Sequence, residues 1–193
     1  MQFINAIKQL VPDFAKDVRL NLDATLARSS LDPADAVGAA LAAAYAAKAP
    51  RIVAIIRESG ALSEVDAGAA LSAAALMAMN NVWYPFVDMS GDPELKTRPA
   101  QLRMQAYATH GGVDKRRFEL FALAASIVGK CHFCVQSHYA LLKEAGVSVD
   151  QLRDVGRIAA VIAAAAQAIE SSRQSESSRQ SAVGSRQQDE VTA

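Results

Sequence analysis

Three features of the sequence predict an all-α protein with a duplicated helical core. Alanine dominates a composition that is 51% hydrophobic, and alanine is the strongest helix former. Apolar residues recur at helical spacing between recognisable start and stop signals. The two halves of the chain also resemble each other when one is shifted along the other. A length of 193 residues allows one domain with a substantial core.

The elements follow in order. Phe3, Ile4, Ile7 and Leu10 mark a first helix. Pro12 suits the first turn of a second, ending near Arg28. Asp32 and Pro33 are an N-cap and first helical residue for a helix reaching about Lys48. Pro50 opens another, ended by Ser59-Gly60. Ser63 with Asp66 forms a weak capping box before a long Ala-rich helix to about Asn80. Residues 81–95, with Trp83-Tyr84-Pro85-Phe86 and Ser90-Gly91-Asp92-Pro93, read as a crossover loop with one helical turn at most. Trp83 and Tyr84 either line a ligand pocket or pack beneath that loop, and packing is the simpler reading. Residues 99–107 read as a short helix and His110-Gly111-Gly112 as a turn. Asp114 caps a helix that stops at Gly129, Cys131 opens the next, and Ser148 and Asp150 start the last, to about Glu170. Residues 171–193 repeat Ser-Arg-Gln three times and carry almost no large apolar side chains. Such a segment cannot offset its ordering entropy by burial, so a disordered tail is expected.

Composition narrows the function. Lys+Arg and Asp+Glu are both 20, which gives a net charge of zero and points away from nucleic acid or an anionic membrane surface. The longest apolar stretches, 67–79 and 158–169, are too short to span a bilayer. The first nine residues lack the layout of a signal peptide. Two cysteines three apart, without that signal, suggest a cytoplasmic redox or metal pair instead of a disulfide framework.

Residues 119–138 concentrate the chemistry: both cysteines, His132, His138 and Glu119 on an otherwise apolar stretch. Cys131, Cys134 and His138 fall at i, i+3 and i+7, along one helix face. A disulfide between the two cysteines is sterically feasible there. A thiol at a helix N-terminus meets unpaired N–H groups and the positive end of the dipole, which favour thiolate. His138, one turn beyond Cys134, is placed to take its proton. Cys131 is then the resolving thiol. Glu119 can orient His138 from the preceding helix. His132 lies off that face and is the weakest member.

The repeat acts as a control. A shift of 82 places Asp32 on Asp114 and Lys48 on Lys130. It places Val37 on Glu119, Ala49 on Cys131, Ile52 on Cys134 and Ile56 on His138. The halves extend over about 32–80 and 114–169. The first copy is apolar wherever the second is reactive, so the scaffold does not require the polar set. Competing readings remain: a Zn site built from Cys131, Cys134, His138 and Glu119, or a non-catalytic redox sensor.

The pattern E-(x11)-C-H-x-C-(x3)-H in an Ala-rich chain resembles the alkyl hydroperoxide reductase AhpD family, of the carboxymuconolactone-decarboxylase-like superfamily. Residues 12–22 (PDFAKDVRLNL) and 79–82 (MNNV) resemble family stretches too. The resemblance covers residues 1–170 as one domain. It implies an all-α duplicated fold, a homotrimer, and antioxidant, lipoyl-dependent peroxidase activity; with no second Cys/His pair to close a metal site, no bound cofactor or metal is expected. It implies a dihydrolipoamide-type dithiol as reductant, supplied by a lipoyl-bearing protein, and the peroxiredoxin AhpC as partner. On the same basis Cys134 carries the sulfenic acid and mixed disulfide, and Cys131 is proton donor and resolving thiol. Glu119, His132 and His138 form the relay. A lactone decarboxylase of the superfamily would not need the dithiol.

Overall fold

The computed structural model describes residues 2–109 and 112–191, with side chains through residue 174. The described residues form helices and loops without a strand. Helix α1 spans Gln2–Leu10 and buries Phe3, Ile4 and Ile7. A 3₁₀ turn at Asp13–Ala15, α2 at Lys16–Leu22 and a wider π turn at Asp23–Ala27 make up the second helical region. Then come α3 (Pro33–Ala46), α4 (Pro50–Glu58) and α5 (Glu64–Met89). Short helices α6 (Pro93–Thr97) and α7 (Ala106–Thr109) lead to α8 (Lys115–Gly129), α9 (His132–Glu144) and α10 (Val149–Val191).

The core is a central pair, α3 and α8, flanked by α5 and α10. Small side chains make this close packing possible: Ala36, Ala39, Ala40, Ala42, Ala43 and Ala44 of α3 are all buried. At Gly38 even a methyl group would overlap the ring of Phe121. The packing is crossed. Helix α5 of the first half lies on α8 of the second, and α10 of the second lies on α3 of the first.

The duplication extends to individual hydrogen bonds. Lys48 and Lys130 both take the left-handed conformation, at φ 56° and 57°. The N–H of Lys48 donates to Tyr45 O and that of Ala49 to Ala44 O. At the shifted positions, Lys130 donates to Ile127 O and Cys131 to Ser126 O. Gly60 and Gly146 follow with φ of 67° and 82°. Asp35 and Arg117, equivalent positions of the two halves, meet at 2.7 Å (Nε to Oδ1). Arg116 donates to the other oxygen of Asp35, and Arg117 also reaches Asp66, so one half-buried network centred on Asp35 ties α3, α5 and α8. Burial alone would lower the pKa of Arg117, but its bonds to Asp35 and Asp66 raise it above the usual value.

Two local expectations are corrected. Residues 81–89 continue α5 instead of forming a loop, despite Pro85. Proline removes one backbone donor and crowds the preceding turn, yet Asn81 anchors this stretch by donating to Ala125 O at 3.2 Å. Residues 98–105 are not helical. Arg98 is extended (ψ 135°), as a residue before proline prefers, and Gln101 sits at φ 52°. Helix α8 ends at Gly129, as the sequence predicts, and the left-handed residue that follows it is Lys130. Gly129 is needed for close approach, because a Cβ there would overlap the side chain of Asn81. The segment expected as a tail, residues 171–193, coincides with the end of α10, which spans Val149–Val191. Of the expected turn His110-Gly111-Gly112, the first two residues lie outside the described set.

Candidate active site

Three elements converge on the second half. The left-handed turn at Lys130 reverses the chain from α8 into α9 and makes Cys131 the N-cap (φ −82°, ψ 102°). Its Sγ accepts the backbone N–H of Cys134 at 3.2 Å, as a serine oxygen does in an ordinary cap. Cys131 and Cys134 form a disulfide with Cα atoms 5.3 Å apart. Both are buried, Cys131 completely and Cys134 to 3% exposure.

Helix α8 brings Glu119 to His138 on α9. Nδ1 of the imidazole and Oε2 of the carboxylate are 2.5 Å apart, at side-chain exposures of 15% and 16%. Such a charge-assisted contact fixes ring orientation as well as adding energy. The other ring nitrogen, Nε2, lies 3.2 Å from Met77 Sδ on α5. The ring is thus held from both sides.

His132 is exposed at the first position of α9. It lines a surface groove with Trp83, Tyr84 and Phe133, apart from the Glu119–His138 contact. The Tyr84 and Phe133 rings stack with centroids 4.4 Å apart. The aromatic stretch therefore does both things considered for it: it packs, and it lines a groove.

The equivalent place in the first half is filled by Val37, Ile52 and Ile56, all buried in the core. The scaffold closes there on apolar side chains alone. The Zn reading requires four side chains to converge. Among the described residues no group of three or more His, Cys, Asp or Glu is placed to hold a metal ion, and the two sulfurs are bonded to each other.

Sequence reasoning missed Met77 and the roles of Asn81 and Phe133. Met77 sits in an apolar helical stripe that reads as ordinary core. Only the residues 79–82 stretch, noted for its resemblance, marked the neighbourhood.

Fold and site together define an all-helical protein with a redox-capable dithiol, backed by a carboxylate–imidazole pair. Residues 93–175 match the model of the carboxymuconolactone decarboxylase family. The chain is 46% identical over 169 residues to an alkyl hydroperoxide reductase AhpD of Bradyrhizobium sp. (strain BTAi1 / ATCC BAA-1182), covering 86% of this chain and 93% of the relative. It is 46% identical over 167 residues to that of Rhodospirillum centenum, covering 84% and 88%. It is 45% identical over 173 residues to that of Anaeromyxobacter dehalogenans (strain 2CP-C), covering 88% and 92%. The chain belongs to the AhpD family. Among its described residues no helix is long and apolar enough to cross a membrane.

Proposed function

We propose that this protein is an antioxidant alkyl hydroperoxide reductase that works through the Cys131–Cys134 dithiol. The observation that carries the reading is the disulfide at the start of α9 with the Glu119–His138 pair one to two turns behind it. In the reduced enzyme His138 takes the proton of Cys134. The Cys134 thiolate attacks the terminal peroxide oxygen, the O–O bond breaks, and the departing alkoxide takes a proton from His138. Alcohol and a Cys134 sulfenic acid result. Cys131 then attacks that sulfur, water leaves, and the disulfide forms. A dihydrolipoamide-type dithiol, presented by a lipoyl-bearing protein, restores the two thiols through a mixed disulfide on Cys134. The reduced pair also passes two electrons to the disulfide of AhpC. The protein acts in the cytoplasm as a homotrimer, and no cofactor or metal takes part.

Two effects bear on which sulfur attacks. The N–H of Cys134 and the helix dipole favour charge on Cys131. Proximity to His138, one turn from Cys134, favours Cys134. The base also handles the proton during turnover, so it decides the matter. Peroxide consumption driven by dihydrolipoamide tests the reading. Cys131→Ser should react once and stall as a Cys134 sulfenic acid or mixed disulfide, seen by mass spectrometry after one equivalent of peroxide. Cys134→Ser should stay reduced. An oxidised Cys131 in Cys134→Ser, with an unreactive Cys131→Ser, reverses the two roles. No turnover by the unaltered protein ends the proposal.

A further inference from the structure

The groove beside the dithiol has a composition that the peroxidase reading does not require. Its floor is aromatic: Trp83, and the stacked pair Tyr84 and Phe133. Its rim is cationic: Lys96, Arg98 and Lys130 face a single carboxylate, Asp88. Asp88 stands 3.6 Å from Lys96, and Arg98 is held by Glu94. Lys130 makes no ion pair among the described residues, although its backbone is locked in the left-handed turn next to Cys131. One side of the groove is formed by Lys130, His132 and Phe133, the sequence neighbours of the two buried cysteines.

An apolar floor with surplus positive charge at the edge matches one kind of small molecule, an apolar chain ending in a carboxylate. We infer that the groove binds organic hydroperoxides that carry a carboxylate, such as oxidised fatty acids, with the chain on Trp83, Tyr84 and Phe133 and the carboxylate beside Lys130. This specificity rests on the peroxidase reading but has its own test. The redox step is unchanged: the hydroperoxide becomes the hydroxy acid and the dithiol becomes the disulfide. A neutral hydroperoxide of the same length uses the floor but not the rim.

Trp83 is the only tryptophan of the chain and lies in this groove, so its fluorescence reports occupancy directly. The oxidised protein is titrated with dodecanoate and with methyl dodecanoate, both below their aggregation limits. Dodecanoate should change the emission saturably and bind more tightly than the ester. The difference should shrink with added salt. Lys130→Gln should weaken dodecanoate binding roughly threefold to fivefold, the scale of one exposed charge interaction, and leave ester binding as it was. Lys96→Gln, elsewhere on the rim, should act in the same direction. In turnover, the ratio of kcat/KM for a fatty-acid hydroperoxide to that for its methyl ester should fall by a similar factor in Lys130→Gln. Equal affinity for acid and ester, or an unchanged ratio in both variants, overturns the inference. Carboxylate-selective binding without turnover of either peroxide keeps the binding site and removes the peroxidase reading instead.

Discussion

Converting the second half of the site into a copy of the first separates chemistry from architecture. The perturbation is Glu119→Val with His138→Ile, the residues that Val37 and Ile56 supply at the equivalent positions. His138→Ile alone strands the Glu119 carboxylate at 16% exposure, with its 2.5 Å partner gone. An unpaired polar group of this kind costs roughly 1–3 kcal/mol. Glu119→Val alone leaves the imidazole without its orienting partner, with Met77 still 3.2 Å from Nε2. The double variant removes both polar groups, and replacing such a pair by apolar residues of suitable volume is often neutral or stabilising. The two single costs should therefore exceed the double cost, by a coupling of about 1–3 kcal/mol. Activity should behave differently. A charge-assisted hydrogen bond contributes about 1.5–3 kcal/mol, so Glu119→Val should slow peroxide turnover roughly tenfold to a hundredfold. The double variant should recover none of that rate. Urea unfolding of the four proteins, with peroxide consumption measured on each, provides the cycle. Additive stabilities, or a double variant that turns over at the original rate, would refute the reasoning.

Two other outcomes are expected. Buried Asp154 accepts hydrogen bonds from the N–H and Oγ of Ser30 at 2.7 and 2.9 Å and pairs with Arg157. Burial would raise its pKa, but these partners lower it below the usual carboxylate value. Its stabilisation is therefore present above the unfolded-state pKa, about 3.9, and is lost as pH falls through the lower folded value. Asp154→Asn should destabilise the protein at pH 7, and the gap to the unaltered chain should close only below about pH 4 in urea titrations; a gap constant down to pH 2 would argue against the assignment. A chain ending at Gln174 should keep its activity and lie within about 1 kcal/mol of the full chain, because residues 175–193 are almost devoid of large apolar side chains. Loss of turnover in a truncated protein that melts normally would give that segment a functional role.

Much of the site was legible because its geometry is local. Cys131, Cys134 and His138 belong to one helix and its cap, and their spacing alone puts them on one face. Glu119 was legible for a different reason, since the first half carries Val37 where it stands. Met77 and Asn81 were not, because their contacts are made across helices. Nothing in an apolar stripe says which methionine will face an imidazole. The continuation of α5 past Pro85 failed for the same reason. Proline acts locally and discourages helix, while the packing of α5 on α8 is a tertiary effect that overrides it. At the end of α8, glycine marked the right place, but its role there is steric. The left-handed turn falls to a lysine, and Lys48 does the same in the other half.

The crossed arrangement of α5 on α8 and α10 on α3 bears on how the chain folds. Neither half owns a complete interior: each lends its long helix to the other's central helix. Each half keeps contacts of its own, α3 with α5 and α8 with α10, but those that complete its core appear only when the other is in place. Folding should be all-or-none, with Trp83 emission and helix content changing together in denaturant. Residues 98–105, non-helical between the halves, are then the natural place to divide the chain. Two fragments cut there should each be largely unstructured alone and should regain helix when mixed, because each is the other's missing half.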